Sequence, residues 1–207
     1  EGTPVRIVRN AETNLGDLCA DAYRALSNAD IAFVNGGGIR KQIEAGDITL
    51  DDIYSVHPFG NTMCVIRVTG QQVLDALEWG ARAVPSENGG FLQVSGLTYE
   101  IHTGIASSAE KDENGMFTRV SGEYRVKNVM VGGQPLELDK TYTLASHNYM
   151  LLNHGDGYTM FDGCEVLGED MMIDNQVLIT YITTTLGGVV GEQYANPYGD
   201  GRIVAVE

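Results

Sequence analysis

The sequence predicts one α+β domain, a mixed sheet with helices packed on it. Stretches with helical apolar period alternate with short apolar runs through the first half of the chain. From Phe91 onward the pattern becomes strand-rich. No linker, internal repeat or low-complexity tract divides the 207 residues, and 43% hydrophobic content is enough to bury a sizeable core. The domain is therefore expected to cover residues 1–207.

Thr13 and Asn14 are N-cap candidates for a helix reaching about Leu26, with Leu15, Leu18, Cys19, Ala22 and Leu26 on one face. Ile31–Val34 reads as a buried strand. A short helix follows Thr49, from about Leu50 to Ser55. Thr62–Val68 reads as the next strand. Thr69-Gly-Gln-Gln72 fits a capping box that opens a helix carrying Val73, Leu74, Leu77 and Ala81 on one face. The strands that follow are Phe91–Val94, Leu97–Ile101, Tyr124–Val131 and Thr141–Ser146. A surface hairpin is expected within Ile105–Ser121, and a turn at Gly132-Gly133. A last helix over Asp174–Leu186 and a strand over Arg202–Val206 complete the chain.

A net charge of −15 argues against a nucleic-acid partner or an anionic membrane surface. A small anionic ligand needs only one or two placed arginines. No apolar run approaches the ~18 residues of a membrane span, so direct membrane insertion is not expected. Glu1 in place of methionine is expected of a processed or excised piece of a longer polypeptide. Cys19, Cys64 and Cys164 are too few and too scattered for a disulfide framework or a CxxC zinc site, and the first two are expected to be inert core thiols. His57, His102, His147 and His154 show no metal-ligand spacing such as HExxH or HxH.

Three loops carry candidate chemistry. Asn35-Gly-Gly-Gly-Ile-Arg40 follows a strand. Consecutive glycines lose much conformational freedom, which is tolerated where backbone turns through positive φ or comes within contact distance of a ligand, here at Gly37 and Gly38. Arg40 adds a planar guanidinium suited to phosphate or carboxylate. The loop reads either as an anion reader or as a tight turn with a solvated arginine. In His57-Pro-Phe-Gly-Asn61, Phe59 is either an inward loop anchor or an accessible ring on which a base stacks. In His147–Gly157, Asp156 lies between two glycines and can accept from vicinal hydroxyls, although Gly-Asp-Gly also describes a simple turn. Phosphate reader, ring platform and diol acceptor on three loops would together make a nucleotide site.

With these motifs in order, the chain resembles the C-terminal, substrate-binding domain of the 5′-nucleotidase family, which includes UDP-sugar hydrolases and cyclic-nucleotide phosphodiesterases. The resemblance runs from Glu12-Thr-Asn-Leu-Gly16 and Asp21-Ala22 through Asn35–Arg40, Gly46-Asp-Ile48, Pro58–Asn61 and Val94-Ser-Gly96 to Gly155–Tyr158. It implies that Arg40 contacts the substrate phosphate and that Asn35 hydrogen-bonds the nucleotide. Phe59 would form one side of a clamp on the base, and Asp156 would bind the ribose. The family's second clamp aromatic stands six residues before that aspartate, where this chain has Met150 with Tyr149 beside it. Tyr149 would substitute if the loop is shifted by one residue. His154 replaces a glycine usual in the family, and Arg9 is a candidate second phosphate arginine.

By the same resemblance, catalysis belongs to an N-terminal metallophosphoesterase domain with two divalent metals (Zn, Mn or similar), and this domain holds no cofactor. The implied partners are a nucleotide or nucleoside and that catalytic domain. The implied location is extracellular, cell-surface or periplasmic, with a hinge at or just before Glu1. Two other readings remain: a binding module without a catalytic partner, and a self-sufficient hydrolase using His147 or His154 with Asp156. The last lacks a serine or cysteine nucleophile nearby in sequence.

Overall fold

The structure is a computed structural model that describes residues 6–207. The expected hinge lies outside the described residues. Five strands form the central sheet: β1 (Ile31–Asn35), β2 (Met63–Thr69), β3 (Leu92–Ser95), β9 (Thr141–His147) and β10 (Glu165–Gly168), in the order β10-β2-β9-β1-β3. A second sheet joins β11 (Ile203–Val206), β4 (Leu97–His102), β7 (Val126–Val131) and β8 (Gln134–Pro135) in that order. The expected surface hairpin is β5 (Ala109–Lys111) with β6 (Phe117–Val120).

The central strands read as continuous apolar runs because both faces are covered. Ile31, Phe33, Cys64, Ile66 and Leu144 face one core with α3 (Gly70–Ala81) and the second sheet. Ala32, Val34, Met63, Val65 and Ala145 face the other core with α1 (Asn14–Ser27), α2 (Leu50–Val56) and α5 (Asp174–Thr180). The helix starts follow the local chemistry. Thr13 caps α1 by accepting from Gly16 N, and Thr49–Asp52 and Thr69–Gln72 make complete capping boxes on α2 and α3. Cys19 and Cys64 are fully buried, and burial pushes the Cys64 thiol up to about 12.

One expectation is corrected: the last helix leaves α geometry at Tyr181, where a π turn runs to Thr185. Strand β10 is an element for which the sequence gives no expectation, because as an edge strand it leaves Val166 and Leu167 exposed and has no alternation to find.

Topology places the site. Strands β1 and β9 are adjacent and parallel, pairing Ile31 with Leu144 and Ala32 with Ala145, so Asn35 and His147 end at the same sheet edge. Strand β2 runs antiparallel to β9 and begins opposite it, with Met63 paired to His147. Strand β3 begins opposite the end of β1, with Leu92 paired to Asn35. The loops that follow β1 and β9 and those that precede β2 and β3 therefore converge at one end.

The last strand is clasped to α1 by charge. Glu12 accepts from the backbone N–H groups of Asp200, Gly201 and Ile203, and Arg202 forms a two-pronged pair with Asp21 at 2.7 and 2.9 Å. Asp17, 2% exposed, lies in the same group with Arg202 Nε at 3.6 Å. Burial pushes its carboxyl from 3.8 up to about 8, with Arg202 opposing and Glu12 adding to the rise.

The folded protein thus keeps a proton on Asp17 that the unfolded chain has released, so this contribution to stability falls as pH rises from about 4 to about 8. The buried His57 and His147, held down to about 4 and about 3, work in the opposite sense and lose stability as pH falls below 6.5. By about pH 7.5, one unit above that value, the histidines are nearly silent. Thermal melts from that pH upward should show wild type losing stability toward pH 8 and Asp17→Asn losing less; parallel curves would remove the buried acid from the explanation.

Candidate functional site

The convergent loops enclose a cleft of about 390 Å³. The glycine loop forms one wall. Gly36 to Gly38 make a single 3₁₀ turn, and none of the three has positive φ. Their need for glycine is close approach to the protein itself. A Cβ on Gly36 would lie 2.1 Å from the Val8 carbonyl oxygen, and one on Gly38 would lie 2.6 Å from Asn35 Oδ1. Gly37 N–H donates to Gly89 O at 2.7 Å, which fastens this loop to the loop before β3.

Arg40 is exposed at the rim, with Nη1 donating to Gly37 O at 3.2 Å and its guanidinium 5.6 Å from the centre of the Phe59 ring. Phe59 is 59% exposed, so it is no inward anchor. Arg9 joins the cleft from a 3₁₀ turn over Ile7–Arg9. Its guanidinium is lowered by burial first and then by the neighbouring charges of Arg6 and Arg40. Positive charge is thus concentrated at one place in a strongly acidic chain.

Tyr149 and Met150 separate cleanly. Tyr149 opens a short helix, α4 (Asn148–Leu151), lines the cleft and is 40% exposed. Met150 is fully buried in the core and does not line the cleft, which corrects its place as a clamp candidate. Neighbouring residues on this turn point to opposite sides, and the apolar thioether takes the inner one. Gly155 lets the Tyr149 ring lie flat over the chain, since a Cβ there would sit 2.3 Å from Tyr149 Cε1.

Asp156 has φ +55, a left-handed conformation that costs a non-glycine residue strain. The surroundings hold it there. Trp79 Nε1 on α3 donates to Asp156 O at 2.9 Å, and Asn35 Nδ2 donates to Asp156 Oδ2 at 2.5 Å. Tyr149 Oη lies 3.3 Å from both Asp156 Oδ1 and its backbone N–H. His154, where the resemblance expects glycine, is also left-handed at φ +55 and pairs with Asp162 at 2.5 Å.

Beneath the glycine loop lie two buried histidines. His57 Nδ1 donates to Gly38 O at 3.3 Å, and His147 Nε2 donates to Asn35 Oδ1 at 3.0 Å. Asn35 is 3% exposed with its amide shared between His147 and Asp156, so the second Nδ2 hydrogen and one Oδ1 lone pair are what is left for a ligand. Asn61 and Gly89 also line the cleft, and the sequence does not mark them. Gly89 shows no signal beyond a glycine pair, and Asn61 only its place at the end of the Phe59 loop.

Among the described residues the cleft lining carries one carboxylate, Asp156, and no histidine or cysteine, a donor set too small for a two-metal centre. Among the described residues, Glu12, Asp17 and Asp200 are close enough to share an ion. They are the clasp on β11, with Glu12 taken up by three backbone N–H groups.

Fold and cleft define an α+β domain whose convergent loops present arginine, aromatic and carboxylate groups together. The chain belongs to the family described as 5′-nucleotidase, C-terminal domain, whose sequence model matches residues 1–163. It is 36% identical over 203 residues to the trifunctional nucleotide phosphoesterase protein YfkN of Bacillus subtilis, covering 96% of this chain and 13% of that protein. It is 35% identical over 178 residues to a 5′-nucleotidase of Vibrio parahaemolyticus, covering 85% of this chain and 28% of that protein. The crystal structure of a 5′-nucleotidase precursor from Thermus thermophilus superposes with a TM-score of 0.80 at 32% identity, over 98% of this chain and 37% of that one. The chain therefore spans well under half the length of these proteins.

The burial of the clamp candidates is testable by denaturation. Met150→Ala should cost about 2–5 kcal/mol as a core truncation, whereas Tyr149→Ala should leave stability within about 1 kcal/mol. Equal losses would return Met150 to the candidates.

Proposed function

We propose that this chain is the nucleotide-binding specificity domain of a metal-dependent phosphohydrolase of the 5′-nucleotidase type. The observation that carries the reading is one cleft lined at once by Arg40, Phe59, Tyr149 and Asp156, with Arg9 beside them. Arg40 and Arg9 would take the phosphate, whose charge relieves the crowding of the two guanidiniums. Phe59 and Tyr149 would flank the base, and Asp156 would accept from the ribose hydroxyls. Rings of this kind stack any base, so the cleft selects nucleotides as a class.

Bond breaking would fall to a metallophosphoesterase domain of the same polypeptide, carrying two divalent metals (Zn, Mn or similar) that polarise the phosphate and activate water. The role of this chain is to bind and orient. The names of the relatives support phosphate release from nucleotides as the activity of the whole protein. The reading carries with it a location outside the cytoplasm: extracellular, cell-surface or periplasmic. Among the described residues no helix is long and apolar enough to cross a membrane.

Calorimetric titration tests the assignment. Arg40→Ala should weaken adenosine monophosphate by about tenfold or more, the scale of a charge-assisted hydrogen bond, and leave adenosine within about twofold. Equal losses for both ligands would contradict phosphate reading. Phe59→Ala should weaken both by about five- to a hundredfold, the range of base stacking, with an unchanged melting temperature. Purified chain with added Zn²⁺ or Mn²⁺ should release no phosphate; release proportional to chain concentration would place the chemistry here instead.

A further inference from the structure

Asn35 stands in the cleft wall with its amide fixed at both ends. Oδ1 accepts from His147 Nε2 at 3.0 Å, while Nδ2 donates to Asp156 Oδ2 at 2.5 Å. Turned over, the amide would set N–H against N–H at the histidine and a carbonyl against the carboxylate. Both partners therefore ask for the same direction of the amide, the histidine only while its Nε2 carries the proton.

That histidine is 2% exposed and closely held. Its ring stands edge-on to Tyr23 at 6.3 Å between centroids and tilted against Tyr149 at 5.9 Å. Its backbone closes the β9 pairing opposite Met63. Because Asn35 Oδ1 can only accept, Nε2 carries the hydrogen. Nδ1 has no partner among the described residues, as suits a buried lone pair better than a buried donor. His57 repeats the pattern, with Nδ1 donating to Gly38 O and Nε2 without a partner among the described residues. Two neutral imidazoles thus support the glycine loop from below.

We propose that His147 is a positioning residue. Through Asn35 it holds Asp156 Oδ2, which leaves Oδ1 turned to accept hydroxyl donors from a ligand with a vicinal diol. Among the described residues the side-chain partner of Oδ1 is Tyr149 Oη at 3.3 Å, a weak contact that a ligand hydroxyl can replace. Without the histidine the amide keeps only one of its two anchors, and its donation to Asp156 Oδ2 is less firmly directed. The assignment rests on the nucleotide-binding reading above.

The test compares adenosine monophosphate with its 2′,3′-dideoxy analogue on wild type, His147→Phe and His147→Gln. Phenylalanine fills the space without a donor, and glutamine places an N–H where Nε2 stood. His147→Phe should weaken the ribonucleotide about tenfold and the dideoxy analogue less than about twofold, with His147→Gln restoring most of the difference. A folded His147→Phe that keeps the wild-type ratio between the ligands overturns the proposal. Nitrogen-15 spectra of the wild-type chain give a reading independent of any ligand and of whether His147→Phe folds. The proton on Nε2 supports the relay, and a proton on Nδ1 overturns it. If wild type binds neither nucleotide, the functional reading fails, while the tautomer still decides whether the relay exists.

Discussion

The parallel pairing of β1 with β9 is the constraint on which the site depends. Ile31 opposite Leu144 and Ala32 opposite Ala145 bring two strand ends to the same edge. The antiparallel neighbours β2 and β3 deliver the chain to that edge from the other direction. Four loops distant in sequence thereby meet, and a one-residue slip in the pairing would exchange the faces of every side chain on the strand. The Asn35–His147 hydrogen bond lies just beyond this register and continues it from backbone into side chains.

Close approach, more than conformational freedom, explains the glycine run. The loop packs on Val8 O, Gly89 and the Asn35 amide without entering positive φ. The strained conformations lie elsewhere in the site, at His154 and Asp156. The Asp156 turn persists because Trp79, Asn35 and Tyr149 hold it from three sides. Its strain is thus offset by hydrogen-bonding groups that come from α3, β1 and α4.

Much of this was legible in the sequence, for local reasons. Thr13, Thr49 and Thr69 announce the three N-terminal helices because a capping side chain is a near-neighbour interaction. The buried strands stand out as unbroken apolar runs. Strand β10 was not legible, since an exposed edge carries no burial pattern. The choice between Tyr149 and Met150 was equally closed to counting along the chain, because it depends on which residue of a short turn meets the core. The buried histidines gave no sign of their task, which exists only once β1 and β9 lie side by side. A hydrolytic pair of either loop histidine with Asp156 is not what the fold builds. His154 meets Asp162, and His147 reaches the carboxylate only through Asn35.

The contact between Arg40 and Phe59 has a consequence for any free-energy comparison at this cleft. The guanidinium lies over the ring at 5.6 Å, so removing the ring also releases the arginine, and removing the arginine uncovers the ring. Residues in contact do not contribute independently, and their coupling commonly reaches about 0.5–3 kcal/mol. The losses read from the two single substitutions are therefore expected to be non-additive. Only a double-mutant cycle on Arg40 and Phe59 assigns energy to each, and single substitutions summed together count their shared part twice.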